Sequence, residues 1–346
     1  MATAQEVAQA YQARQSALQT ATARKVAAQF GRLDEHALSE SWAAGVGQAV
    51  QATVEQSQLA AAQAAAPYLA ALAAAQGVPI PPPLIVASAL AGIASDGRPL
   101  ASLLYLPILL IKSLIKRGVK YPEAFRQGAG FAGLIASTQV ADAGRAATTV
   151  GMITNPGWVS YVRVLRLPSC SRCIILAGRE YSWSTGFQRH ENCDCEMWPL
   201  RHDSPERLLI QTPTEIFNSM SEEDQDKRFG KAGAEAIRLG ADPAQVVNAR
   251  RGMALAQVFG RQALITDEGT TKRGIYGSRM LDQGAATVRV KEEFATRLTK
   301  EGPEQRRITR QRVKTPRLMP EAVIEAANGD REEAIRLLKR FAYILD

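Results

Sequence analysis

All four cysteines of this 346-residue chain lie within 26 residues, as Cys170, Cys173, Cys193 and Cys195, with His190 between the two pairs. The spacing is C-x2-C-x16-H-x2-C-x-C. No other feature constrains the fold as much, because two Cys-bearing turns that clamp one ion close a loop too short to fold by itself. Thiolate and imidazole donors suit tetrahedral zinc, and five candidates stand here for four positions. Cys170, Cys173 and His190 are expected as ligands, with Cys193 or Cys195 as the fourth. Two residues apart on extended backbone, Cys193 and Cys195 face the same side, so spacing does not choose between them. One structural Zn2+ per chain is therefore the expected cofactor. Disulfides are the competing state. A Cys193–Cys195 bridge would be strained, and the N-terminal MATAQEVAQAYQARQ has no apolar signal core that would predict an oxidising compartment.

Catalytic readings of the same residues fit less well. Cys170-Ser-Arg-Cys173 follows the apolar run Val162–Leu167, as a thioredoxin-like site would, but that leaves the second pair unexplained. A metalloprotease of the H-E-x-x-H type needs a second histidine, and His190-Glu191 is followed by Cys193-Asp194 instead. Zinc deaminases place H-x-E before P-C-x-x-C, the reverse of the order here. A serine triad would need His36 or His202 as base; His202 beside Asp203 reads as a surface pair, and no G-x-S-x-G occurs. The expectation is a protein that is not an enzyme.

Charge is uneven along the chain. Residues 250–317 carry 16 cationic and 7 anionic side chains, a net +9 that exceeds the +8 of the whole molecule. Such a segment suits a polyanion, with Arg306, Arg307, Arg310, Arg312 and Lys314 as candidate nucleic-acid contacts. Its aromatics are only Phe259, Tyr276 and Phe294, which argues against base stacking and for non-specific contact.

The expected fold class is mainly α with a small α+β zinc-binding module, a helical N-terminal region and a C-terminal helical hairpin. Residues 1–76 form an Ala-rich helical docking region with no proline before Pro67. Residues 77–83 form a Pro-rich linker. The runs Leu84–Ala94 and Leu100–Ile111 are too short to span a bilayer and read as buried helices, with no stable membrane insertion. Pro122-Glu123 opens a helix running to about Thr149, on which Asp142 and Arg145 can face each other. Trp158–Leu167 reads as a strand entering the cysteine module of about 157–200, with Tyr181, Trp183 and Phe187 as its miniature core. A capped helix is expected from Ser221 to Gly240, and another from Asp242-Pro243 to Arg250-Arg251-Gly252. The domain of 84–255 is followed by a basic, loop-rich segment over 256–317. The closing hairpin of 318–346 carries an apolar stripe of Ile335, Leu338, Phe341 and Leu345.

Gly157-Trp-Val-Ser-Tyr through Cys170-Ser-Arg-Cys173-Ile-Ile-Leu-Ala-Gly178, then Gly186-Phe-Gln-Arg-His190-Glu-Asn-Cys193-Asp-Cys195, resembles the Mu F-like minor head proteins of tailed bacteriophages. The actinobacteriophage branch is the nearest. That family's hallmark is C-x-x-C, a glycine a few residues on, then H-P-x-C-x-C. The chain departs from it at Glu191, where the family usually has proline. Ser137–Arg145, Phe229–Asp242 and Val246–Gly252 resemble the family's flanking segments, with Gln139 where many members carry Glu. The likeness covers about residues 100–255. It implies a low-copy internal head protein near the portal vertex, acting in head assembly and DNA packaging or delivery. Its implied partners are the portal protein, the major capsid or scaffold protein, and packaged DNA bound without sequence preference. Its implied location is the virion interior, and the host cytoplasm during assembly. Some relatives are labelled capsid maturation proteases, which is the alternative; a zinc-containing DNA-binding protein is the third reading.

Overall fold

The computed structural model describes residues 2–79, 85–167, 169–191, 193–258, 260–299 and 302–345. The fold is mainly helical with small antiparallel sheets, and it divides into two compact units. The first comprises Met1–Leu167 and Leu176–Gln211; the second comprises Thr212–Asp346 together with the short piece Pro168–Ile175.

In the first unit, α1 (Ala4–Phe30) opens on a capping box in which Thr3 and Glu6 each accept the other's backbone N–H. A short α2 (Leu38–Ser41) and a π turn over Trp42–Val46 lead into α3 (Gly47–Gln63). Gly45 sits at φ 132° in that turn, a conformation that L side chains resist. α3 gives way to α4 (Ala65–Gln76) at Ala64, because Pro67 has no N–H to donate to the Gln63 carbonyl. Pro107 likewise separates α5 (Leu100–Leu104) from α6 (Leu106–Lys116). α7 (Tyr121–Ile153) is the axis of the unit, about 50 Å long at 1.5 Å per residue.

Helices α1, α3, α4 and α6 pack on α7, so residues 1–76 help to build the body of this unit. Val26, Phe30 and Val54 share a core with Ile108, Ile111 and Val140. Gly128 lies so close to Ile111, and Gly151 to Leu69, that an added Cβ would overlap; the missing side chains are what let the helices approach. Strand β1 (Ser160–Val164) lies between β2 (Tyr181–Ser182) and β3 (Glu196–Leu200), antiparallel to both, with Val162 opposite Trp198. Every residue of β1 and β3 is buried. Tyr11, Tyr68, Leu72, Met152 and Trp158 pack with the sheet, the two tyrosine rings stacked at 4.0 Å.

In the second unit, α8 (Ser171–Ile174) is a single turn. α9 (Pro213–Ser219) starts on a Thr212–Glu215 capping box, and α10 (Glu222–Phe229) on Ser221. The single helix expected from Ser221 to Gly240 is two. Gly230, at φ 76° and ψ 148°, breaks it before α11 (Lys231–Arg238). Asp242 caps α12 (Pro243–Ala249) as expected, accepting the Gln245 N–H at 2.8 Å. Strands β4 (Met253–Val258) and β5 (Arg261–Thr266) pair antiparallel, and α13 (Ile275–Asp282) follows. β6 (Val288–Thr299) and β7 (Gly302–Val313) form a separate two-stranded ribbon, while β8 (Arg317–Leu318) joins the edge of β5. α14 (Pro320–Ala327) and α15 (Arg331–Arg340) close the chain, with Asn328 in the left-handed conformation between them.

Several expectations are corrected here. The loop-rich segment expected over 256–317 is largely strands and a helix; the ribbon sequence carries charges at both parities, so no apolar alternation marked it. Residues 85–94 make only a 3-10 turn at Ala87–Leu90, with Val86 exposed, rather than a buried helix. Leu345 lies beyond the end of α15 and is exposed, and Ile335 is only half-buried. Trp183 is exposed and takes no part in a miniature core. Positions 80–83 of the Pro-rich linker and Leu84 lie outside the described residues. Among the described residues no helix is long and apolar enough to cross a membrane.

Candidate metal centre

His190, Cys193 and Cys195 lie on the approach to β3, and helices of the first unit grip that segment by its carbonyls. Arg145, three-quarters of the way along α7, donates from Nε and Nη2 to the Cys195 carbonyl at 3.0 and 2.9 Å, and from Nη2 to that of Cys193. Gln12 of α1 donates to the Asp194 carbonyl at 2.9 Å. From α4, Tyr68 donates to Met197 at 2.7 Å and Gln76 to Pro199 at 3.0 Å. The β3 edge that faces away from β1 is thus satisfied by side chains instead of a further strand.

Charges support the same grip. Asp142 accepts from Arg145 at 3.3 Å, the pairing expected from their spacing, and from Arg189 Nε at 2.9 Å. Glu196 is fully buried, and its carboxyl is pushed up to about 8, chiefly by burial; Arg145 pulls it down and Cys193, Asp194 and Asp142 push it further up. Burial opposes the charge on Arg145 as well, but Glu196, Cys193, Asp142 and Cys195 outweigh it and raise its pKa. The guanidiniums of Arg145 and Arg163 lie 5.0 and 4.2 Å from the centre of the Phe187 ring. Sequence reasoning found the Asp142–Arg145 pair but not its purpose. The signal was there: an arginine among the small residues of Ala141–Ala147, where only a buried partner would keep it.

Cys170 caps α8, its Sγ accepting the Cys173 N–H at 3.4 Å, a contact that favours a thiolate. His190 Nδ1 lies 2.6 Å from the Glu191 carbonyl, a hydrogen bond that leaves Nε2 as the electron-pair donor. Cys170, Cys173 and His190 offer ligand atoms within 4.8 Å of one another, and so do Cys173, Cys193 and Cys195. Zn–S bonds of about 2.3 Å in a tetrahedron put sulfurs roughly 3.8 Å apart, so both triads fit the donor spacing of one small ion. All four cysteines are thiols, and all but Cys170 are buried. The structure gathers both Cys193 and Cys195, so the choice of fourth ligand stays open.

Residues 1–222 match the family model described as VG15 protein. The chain belongs to that family. It is a family of bacteriophage proteins, and the matched span contains all five candidate donors together with Arg145 and the helices that carry the grip. No curated protein and no solved structure matches the chain.

The basic candidates lie elsewhere, on β7 and just after it. Arg306, Arg307, Arg310 and Lys314 are exposed, with Arg307 paired to Glu292. Arg312 turns inward, donating to Thr270 Oγ1 at 2.9 Å and to the Asp267 carbonyl. Arg250 also turns inward, donating to the Phe229 carbonyl. His202 is highly exposed, 2.8 Å from Asp203, and His36 is highly exposed beside Glu35 at 3.2 Å.

Proposed function

We propose that this chain is a minor head protein of a tailed phage, built around a structural zinc, that works near the portal vertex in head assembly and DNA packaging or delivery. The observation that carries the reading is the five-donor cluster, in the spacing that the Mu F-like proteins share, inside the span that belongs to a phage family. Zinc here would cross-link the Cys170–Cys173 turn to the His190–Cys195 segment, whose backbone the helices already fix. The chain's own contribution is rigidity: thiols that are buried, carbonyls that are gripped, and a strand edge that is closed. The helical unit supplies a surface for portal or capsid subunits, and the basic second unit supplies contact with packaged DNA.

Two measurements test this. Elemental mass spectrometry on protein purified without chelator is expected to find one zinc per chain, lost in Cys170→Ser, Cys173→Ser with a fall in melting temperature. A phage carrying the same double substitution is expected to make heads that fail to fill with DNA or to infect. Full infectivity from a protein that holds no metal would sink the reading. The protease alternative draws support from no specific contact, since His36 and His202 lie at the surface beside only their sequence neighbours.

A further inference from the structure

Helix α6 is apolar on more of its surface than the first unit covers. Eight of its eleven residues are leucine, isoleucine or proline. The core takes Pro107, Ile108, Ile111 and Leu114, the last three in one cluster with Val26 and Phe30. That leaves Leu109 48% and Ile115 39% exposed, with Leu106 and Leu110 half-buried. A helix that is apolar all round is ordinarily covered on every side, and this one is open on one.

The open side is also cationic. Between Asp96 and Glu123 the chain has no acidic residue, while Lys112, Lys116, Arg117 and Lys120 gather at the end of α6 and in the turn after it. All four are exposed. Among the described residues none of them pairs with a carboxylate; Lys112 donates to Ser39 Oγ, and Arg117 Nε to the Ser113 carbonyl at 3.3 Å. The nearby acids are engaged elsewhere. Arg126 and Gln127 donate to Glu123, and burial, then Glu35 and Asp34, raise the pKa of Tyr121. Spacings of three and four residues put Leu109, Lys112 and Lys116 on one face, so the cations flank the exposed leucine. The helix dipole accounts for one cation in the last turn, but not for four beside uncovered aliphatic side chains.

We propose that this face of α6, with the turn to Lys120, is a peripheral contact for an anionic phospholipid surface. Leu109 enters the boundary between headgroups and acyl chains, Ile115 borders it, and the four cations meet lipid phosphates. Lysine stems lie along apolar surface while their ammonium groups reach out to charge, as in helices that lie on a membrane. Duplex DNA offers phosphates but no apolar layer for a branched aliphatic side chain, so lipid satisfies both halves of the face and DNA only one. The contact is superficial. Eleven residues span about 16 Å, and among the described residues no helix is long and apolar enough to cross a bilayer. It goes beyond the head-protein reading and does not depend on the zinc centre.

The test is flotation of the full chain with vesicles of phosphatidylcholine, alone or with about 30% phosphatidylglycerol, across a salt series. Binding is expected to the anionic vesicles only, and to be reversed by high salt. Lys116→Ser, Lys120→Ser should weaken it roughly 30-fold, about fivefold for each cation. Leu109→Ser should weaken it severalfold and leave retention on a random-sequence DNA duplex unchanged. An unchanged melting temperature checks that each variant is folded; if Leu109→Ser melts early, the lysine pair decides. No binding of the parent to anionic vesicles at low salt overturns the proposal, and so does binding that neither variant changes. Duplex binding that the lysine substitutions weaken, without vesicle binding, would assign the face to DNA and overturn it too. Metal content is measured separately, so none of these failures removes the head-protein reading.

Discussion

Arg145 in the first unit and Arg317 in the second are both almost wholly buried, but different chemistry satisfies them. Arg145 meets carboxylates: Asp142 is in contact, and the buried Glu196 acts on it by its charge. Among the described residues Arg317 hydrogen-bonds to neutral acceptors, and the Glu268 carboxylate acts on it less than burial does. It donates to the carbonyls of Phe341 at 2.9 Å, Glu268 at 3.0 Å and Ala342 at 3.1 Å, and to Gln245 Oε1 at 3.1 Å. Its guanidinium also lies 4.2 Å from the Tyr343 ring. Burial therefore lowers the pKa of Arg317, while its anionic neighbours raise that of Arg145. One arginine anchors a charged network beside the cysteines. The other ties together the last turn of the chain, the loop after β5 and α12, through hydrogen bonds to neutral acceptors.

The largest expected effect follows from that contrast. Arg317→Met leaves three carbonyls and an amide oxygen without their buried partner, at about 1–3 kcal/mol for each group that stays unpaired, so a loss of roughly 3–5 kcal/mol is expected. Urea unfolding reads the loss, and hydrogen exchange locates it. Peptides covering 317–318 and 341–345 should lose protection while those of α7 keep it. Arg317→Lys keeps the charge but not the planar fork, and should recover only part of the stability. A stable Arg317→Met variant would mean that these carbonyls find other partners, and the contrast would collapse.

Arg145→Met should cost less, about 2–3 kcal/mol, because a neutral Glu196 carboxyl can stay buried where a charged one cannot. Here a second substitution tests the comparison directly. Arg145→Met, Glu196→Gln removes the arginine and the buried carboxylate together and should be more stable than Arg145→Met alone; no described carboxylate hydrogen-bonds to Arg317, so no matching rescue is expected there. Arg145→Met should also weaken zinc retention 10–100-fold in chelator competition, the usual effect of loosening the residues behind a ligand set. Unchanged zinc affinity would separate the arginine from the metal centre. An Arg145→Met, Glu196→Gln variant no better than the single one would show that the carboxylate is not what the arginine compensates.

The helical body was legible because its signals are local. Thr3–Glu6, Pro122-Glu123, Ser221 and Asp242 announce helix starts through chemistry contained within a few residues, and each start lies where those residues put it. The clustering of the cysteines and His190 was legible for the same reason. What was not legible depends on partners distant in sequence. Nothing near Gln12, Gln76 or Tyr68 reveals that they close the edge of a strand more than 120 residues away. Nothing near Arg317 reveals that its acceptors come from α12, the β5 loop and the C-terminal turn. The ribbon failed for a third reason. Alternation identifies a strand only where one face is apolar, and the β6–β7 sequence carries charged residues at both parities.

The smallest effect belongs to a surface pair, against which both buried arginines can be measured. Arg207 donates to Glu180 from Nε at 2.8 Å and from Nη2 at 2.6 Å, tying β2 to the turn after β3. That hydrogen bond, helped by Ser160 and the Arg207 charge, pulls the Glu180 carboxyl down to about 2 from an ordinary 4.5. Because the folded value lies below the unfolded one, the stabilisation is complete above about pH 4.5 and is lost as pH falls toward 2. Both side chains are about one-third exposed, so water and salt screen the pair to less than about 1 kcal/mol. Glu180→Gln should therefore lower stability slightly at pH 7 and not at all near pH 2, and the difference at neutral pH should shrink in 1 M salt. Urea midpoints of parent and variant between pH 2 and 7 measure it. A gap that stays constant over that range would mean that Glu180 acts through packing, and that bidentate geometry at the surface had been overvalued relative to the interior.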